Sequence, residues 1–205
     1  MIGRAQFLHS AGYSVLLIDL RGTGETVGRH ITMGWDERHD VEAAVDFIRA
    51  KNAPGKIGIV GTSLGGAAAL LSMPPVRVDA LVLEAVYPTI ARATRNRLRP
   101  RLGSLEPITT SLLLSQIHFR LGITASALSP LDHIASANCP VFIIGGTKDR
   151  NTTIEDTRML FAAARAPKKL WLIDGAAHVD FHRFAREEYE GRVIVFLTDS
   201  FGGKR

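Results

Sequence analysis

Lys56-Ile57-Gly58-Ile59-Val60-Gly61-Thr62-Ser63-Leu64-Gly65-Gly66 is the stretch that decides how this chain folds. The apolar run Ile57 to Val60 has the composition of a short strand. The alanine- and leucine-rich run after Gly66 has that of a helix, continuing to about Met73, where Pro74-Pro75 stops it. Between them lies Gly61-Thr62-Ser63-Leu64-Gly65, a G-x-S-x-G turn. Where a strand bends this sharply into a helix, a side chain on either flanking glycine would clash, and the serine hydroxyl is pushed out at the end of the sheet. Ser63 is therefore the candidate nucleophile. The plainer reading is a glycine-rich connection without chemistry. The strand before and the helix after weigh against it.

Outward from this turn, strands and helices alternate. Tyr13 to Leu20 (YSVLLIDL) reads as a strand buried on both faces, and Arg21-Gly22-Thr23-Gly24 as the turn after it. Val41, Ala44, Val45 and Ile48 recur at helical spacing between Trp35 and Lys51, with Pro54-Gly55 as the stop. Val78 to Val86, Val141 to Ile144 and Lys169 to Ile173 read as further strands. Ile154 to Ala164 and a last segment from about His182 to Leu197 read as helices. The expected fold is α/β, a mostly parallel, doubly wound sheet flanked by helices, in a single domain over residues 1–205. Residues 87–129 interrupt the alternation with five arginines, Arg92 to Arg101, and an apolar helical run from Ile108 to Leu121. Two readings fit this insertion: a cap over an active site, or a helical excursion on the sheet edge with a solvated arginine face.

Composition bounds the function. An apolar share of 46% with 22% charged residues is that of a globular chain able to bury a core, which excludes disorder as the default. The lone Cys139 rules out an internal disulfide framework and any cysteine-based metal site, and reads as a small buried hydrophobe. No stretch has the length of a membrane span, and the first residues lack the apolar core of a signal peptide. As written the chain defaults to the cytoplasm, with an upstream signal or anchor left open. The net charge of +5 raises nucleic acid as a partner, but aromatic residues are sparse and most basic residues are scattered along the chain, so none is expected. The sequence assigns no oligomeric state.

A serine nucleophile needs a base to take its proton and an acid to orient that base. On a sheet of this kind they follow in the order Ser, Asp or Glu, His, each beyond the end of a strand. His178, in the small-residue loop Asp174-Gly175-Ala176-Ala177-His178 after the last strand, is the best placed of the seven histidines. His182 is second, because it opens the following helix. Asp149, in Gly145-Gly146-Thr147-Lys148-Asp149 beyond the Val141 strand, is the candidate acid; its plainer reading is a turn or N-cap aspartate. Glu84 is the runner-up acid, and Asp174 lies too close to His178 in the same loop to orient it.

Together AGYSV entering a strand, DLRGTGE after it, the GTSLGG turn, GTKD and GAAH resemble the α/β-hydrolase superfamily from about Phe7 to Leu197. Within it the chain is most similar to bacterial serine hydrolases related to the serine aminopeptidase and dienelactone hydrolase branches. The resemblance implies Ser63 as nucleophile, His178 as general base and later acid, Asp149 as its orienter and the Leu64 N–H as one oxyanion donor. It implies a small-molecule acyl substrate and no metal or organic cofactor. Cleavage of a carboxylic ester or related acyl bond through an acyl-enzyme is the first expectation. A peptidase or acyltransferase using the same triad is the alternative. The resemblance also places a His-Gly donor loop and earlier strands upstream of AGYSVLLIDL, where this sequence has Met1. The expectation is thus an N-terminally shortened hydrolase whose Tyr13–Leu20 and Ile57–Val60 strands lack a shared neighbour. Loss of one oxyanion donor lowers turnover by about 10²–10³, so a folded but catalytically impaired protein is the third expectation.

Overall fold

A computed structural model describes residues 1–51 and 55–202. Its helices and strands run α1 (Ile2–Ser10), α2 (Glu37–Lys51), β1 (Gly58–Thr62), α3 (Leu64–Leu71), β2 (Ala80–Glu84), α4 (Ile90–Leu102), α5 (Glu106–Leu121), α6 (Pro130–His133), β3 (Val141–Gly146), α7 (Ile154–Ala163), β4 (Lys168–Ile173), α8 (Phe181–Phe184) and α9 (Arg186–Ser200). The strands form one parallel sheet in the order β1-β2-β3-β4. Parallel neighbours need a crossover between them, so the helices end up on the faces of the sheet.

β2 and β3 are buried at every residue, as the apolar runs over residues 80–83 and 141–144 require of central strands; Glu84, at the end of β2, is buried with them. Val82, Phe142 and Ile144 point to one face, against Phe7 and Leu8 of α1 and Tyr189, Val193 and Phe196 of α9. Leu81, Leu83, Val141 and Ile143 point to the other, against Leu70 and Leu71 of α3, Ile90 of α4 and Leu160 of α7. α2 buries Val41 on Ala68 and Ala69 of α3. Pro54, expected to stop α2, lies outside the described residues. The last helical segment is two pieces, because Ala185 leaves helical geometry (φ −133°, ψ 56°) between α8 and α9.

One expectation fails. Tyr13 to Leu20 forms no strand: the segment has no ladder partner among the described residues, and Val15, Leu16, Leu17 and Ile18 are all exposed. Nor does it close onto β1. A cavity of about 380 Å³ separates Leu16–Leu20 from Ile57–Thr62 and is lined on a third side by Val41, Val45 and Ile48 of α2. A β-branched run records the environment that suits a segment, but a strand also needs a neighbour's backbone to bond to.

Residues 87–129 contain α4 and α5, joined by a turn of 3₁₀ helix at Gly103–Leu105. The Thr89 hydroxyl caps α4 by accepting the Arg92 N–H. Arg92 and Asn96 on α4 bind Asp156 of α7, and Asn96 also donates to the Asn151 carbonyl. The insertion is therefore anchored to the loop that follows β3.

Candidate active site

Ser63 stands between β1 and α3 with φ +47°, a left-handed conformation that costs a non-glycine residue about 1–3 kcal/mol and survives only where its surroundings enforce it. Here they do. The Ser63 N–H donates to the Glu84 carbonyl at the end of β2 (2.7 Å). A Cβ on Gly61 would lie 2.6 Å from the Gly66 Cα, and one on Gly66 would lie 2.3 Å from Val86 Cγ2. Only glycine lets the strand and helix come this close. Leu64 is the first residue of α3, where backbone N–H groups have no acceptor within the helix and the helix dipole is positive.

The Gly145-Gly146 pair ends β3 and lets two loops meet. A Cβ on Gly146 would sit 2.3 Å from the Ala176 carbonyl oxygen. With that space clear, the Lys148 N–H donates to the Ala176 carbonyl (2.8 Å) and the Thr147 N–H to the Ile173 carbonyl (3.0 Å). The Thr147 hydroxyl adds bonds to Asp174 and from the Gly175 N–H. The loops after β3 and β4 are thus laced together, and they bring Asp149 to His178.

Asp149 does both jobs that its sequence position allowed. Its Oδ1 accepts the N–H groups of Asn151 and Thr152 (2.8 and 2.9 Å), closing the turn before α7. Its Oδ2 lies 2.7 Å from Nδ1 of His178. The Asp149 side chain is fully buried, while that of His178 is 27% exposed. With Nδ1 donating to the carboxylate, the other ring nitrogen is the acceptor. Ser63 Oγ makes no hydrogen bond with His178 among the described residues. In resting enzymes such bonds are often long and tighten only with substrate.

The runner-up residues are engaged elsewhere. Glu84 is fully buried and its carboxylate faces Arg4, with Nε and Nη2 donating at 2.9 and 2.6 Å. The Tyr189 and Thr62 hydroxyls complete its partners. His182 bonds Glu190 through Nε2 (2.8 Å) and stacks on Phe7. Asp174 takes the Thr147 hydroxyl.

Sequence reasoning missed Arg4. Its Nη1 reaches Asp180, two residues beyond His178, at 2.8 Å, so one guanidinium ties the end of β2 to the histidine loop. Burial opposes its charge, but Glu84 and Tyr189 more than compensate and hold its pKa above the ordinary value. An arginine on a short helix reads as a solvated residue, and nothing local in the sequence announced its burial. Among the described residues, no group of three or more His, Cys, Asp or Glu side chains is placed to hold a metal ion.

Comparison with known proteins bears on the fold and the family. Residues 4–191 match the model of the alpha/beta hydrolase family. The chain is 29% identical over 196 residues to the uncharacterized protein YqkD of Bacillus subtilis, covering 92% of this chain and 63% of that one. It is 30% identical over 207 residues to the uncharacterized protein Rv2307c of Mycobacterium tuberculosis, covering 94% and 63%. The chain therefore spans a little under two thirds of the length of these relatives. Among solved structures, the esterase Pf2001 of Pyrococcus furiosus superposes with a TM-score of 0.75 at 25% identity, covering 97% of this chain and 76% of that one. A parallel sheet wrapped by helices, a serine on a strained strand-to-helix turn and a family match over most of the length lead to one conclusion: this chain belongs to the alpha/beta hydrolase family.

Proposed function

We propose that this protein is a serine hydrolase that cleaves a carboxylic ester or related acyl bond of a small-molecule substrate through a Ser63–His178–Asp149 triad. The observation that carries the reading is the 2.7 Å contact between His178 Nδ1 and the buried Asp149 carboxylate, whose other oxygen is pinned by two backbone N–H groups. A carboxylate so held fixes the tautomer and direction of the imidazole and stabilises the imidazolium that forms during reaction.

In this mechanism His178 Nε2 takes the proton from Ser63 Oγ as the oxygen attacks the acyl carbon. The carbonyl electrons move onto oxygen, where the Leu64 N–H at the start of α3 stabilises the charge. Collapse breaks the bond to the leaving alcohol, which takes the proton back from His178, and leaves an ester on Ser63. Water then attacks that ester, His178 takes its proton, and the carboxylic acid departs as Ser63 Oγ is reprotonated. Every step uses groups of this chain and water. The similarity to an esterase supports the choice of ester as substrate class.

The test is hydrolysis of p-nitrophenyl esters of graded acyl length by the purified protein and by Ser63→Ala. The expected result is turnover that Ser63→Ala abolishes. Equal turnover in the two proteins would remove Ser63 as the nucleophile.

A further inference from the structure

The charge of this chain is not spread evenly. Residues 87–129 carry six arginines and a single carboxylate, Glu106, a formal +5 that equals the net charge of the whole protein. The remaining residues hold nineteen lysines and arginines against nineteen carboxylates and are neutral as a set. The scattered basic residues elsewhere cancel; those of the insertion do not.

Within the insertion some arginines are used internally. Arg92 pairs with Asp156, Arg95 lies 3.6 Å from the buried Glu106, and Arg97 donates to the Ala93 carbonyl. Arg99, Arg101 and Arg120 are exposed and have no carboxylate partner among the described residues. The first two stand at the end of α4, the third at the end of α5, so they bracket α5 along its length.

Between them α5, with Leu105 just before it, exposes apolar side chains. Leu105, Ile108, Leu112 and Phe119 are 61, 72, 61 and 85% exposed. At about 100° per residue these four fall within a sector of roughly 60°. Glu106 and Thr110, on the opposite side of the helix, are buried, and Leu114 and Ile117 there pack on the core. The outward stripe is therefore a second apolar face, not the one that holds the helix on the domain. Across from α5, Ile31 and Met33 are also exposed, and with Leu113 and Ile117 they line a cavity of about 620 Å³.

We propose that the α4–α5 hairpin is a docking surface for an anionic lipid bilayer. A helix with an apolar stripe and flanking arginines lies in the plane of a membrane interface, its side chains entering the acyl boundary and its cations on the headgroups. No helix among the described residues is long and apolar enough to cross a membrane; the contact proposed is with the bilayer surface. A second copy of the chain fits poorly: a two-fold contact through this face would bring Arg99, Arg101 and Arg120 of one copy against those of the other. The surface shares no residue with the proposed triad, and its test does not depend on catalysis.

The experiment is co-sedimentation of the whole protein with vesicles of phosphatidylcholine alone and of phosphatidylcholine mixed with phosphatidylglycerol, at low and raised salt. The expected result is binding to the anionic vesicles, weakened by salt. The triple variant R99Q/R101Q/R120Q should weaken it on the order of a hundredfold. I108S/L112S/F119S should abolish it with an unchanged circular dichroism spectrum, and F119S alone should weaken it if the triple variant fails to fold. Equal binding to neutral and anionic vesicles, or none to either, would overturn the proposal. So would a dimer in sedimentation velocity that F119S disperses, which would assign the stripe to a second copy.

Discussion

Ser63 holds a left-handed backbone between β1 and α3, and the glycines on either side make that conformation possible. Gly61→Ala would drive a methyl group into the Gly66 backbone, so we expect it to yield unfolded or insoluble protein; a soluble variant with native circular dichroism would contradict the packing described. Asp149→Asn keeps the side chain's shape but favours the wrong tautomer of His178. Turnover should fall by roughly 10³–10⁴ with the fold retained. A rate within a few-fold of the parent's would mean that another group orients the histidine. That Ser63, Asp149 and His178 would each stand in a short loop beyond a strand was legible from the apolar runs that precede them. Arg4 was not, because burial of an arginine is decided by what packs over it, and here those partners are Glu84, Tyr189 and Asp180, far away in sequence.

The segments that form strands as expected are those that pair with a neighbour among the described residues. β2, β3 and β4 were readable as apolar runs because each has a paired neighbour on the sheet. Tyr13 to Leu20 carries the same kind of pattern and has no pairing strand among the described residues, lying across a gap from β1. Periodicity reports which faces a segment can bury; it says nothing of whether a hydrogen-bonding neighbour exists. α1, by contrast, is held by a buried ion pair. Arg4→Met would leave the Glu84 carboxylate buried beside a thioether, at a cost of about 3–5 kcal/mol. We expect a matching drop in the free energy of unfolding by urea. A loss below about 1 kcal/mol would show that the pair contributes little beyond an apolar contact.

Over the whole molecule, stability should depend on acidity through carboxylates held below their usual range. Burial works against the charge of Asp40, Asp79 and Asp180. Arg21, Lys56 with the Ile57 N–H, and the Arg183 N–H with Arg4 respectively more than offset it. A depressed folded pKa stabilises fully above the unfolded value of about 4 and is lost as pH falls through the folded value. The melting temperature should therefore drop steadily below about pH 4. A flat profile there would mean that these pairs persist in the unfolded chain. The central claim is that the strained turn carries an activated serine. Intact-mass detection of labelling by a fluorophosphonate, on the purified protein and on Ser63→Ala, tests it most directly. One adduct on the parent protein and none on the variant is the result expected. A folded parent protein that takes up no label would contradict the account.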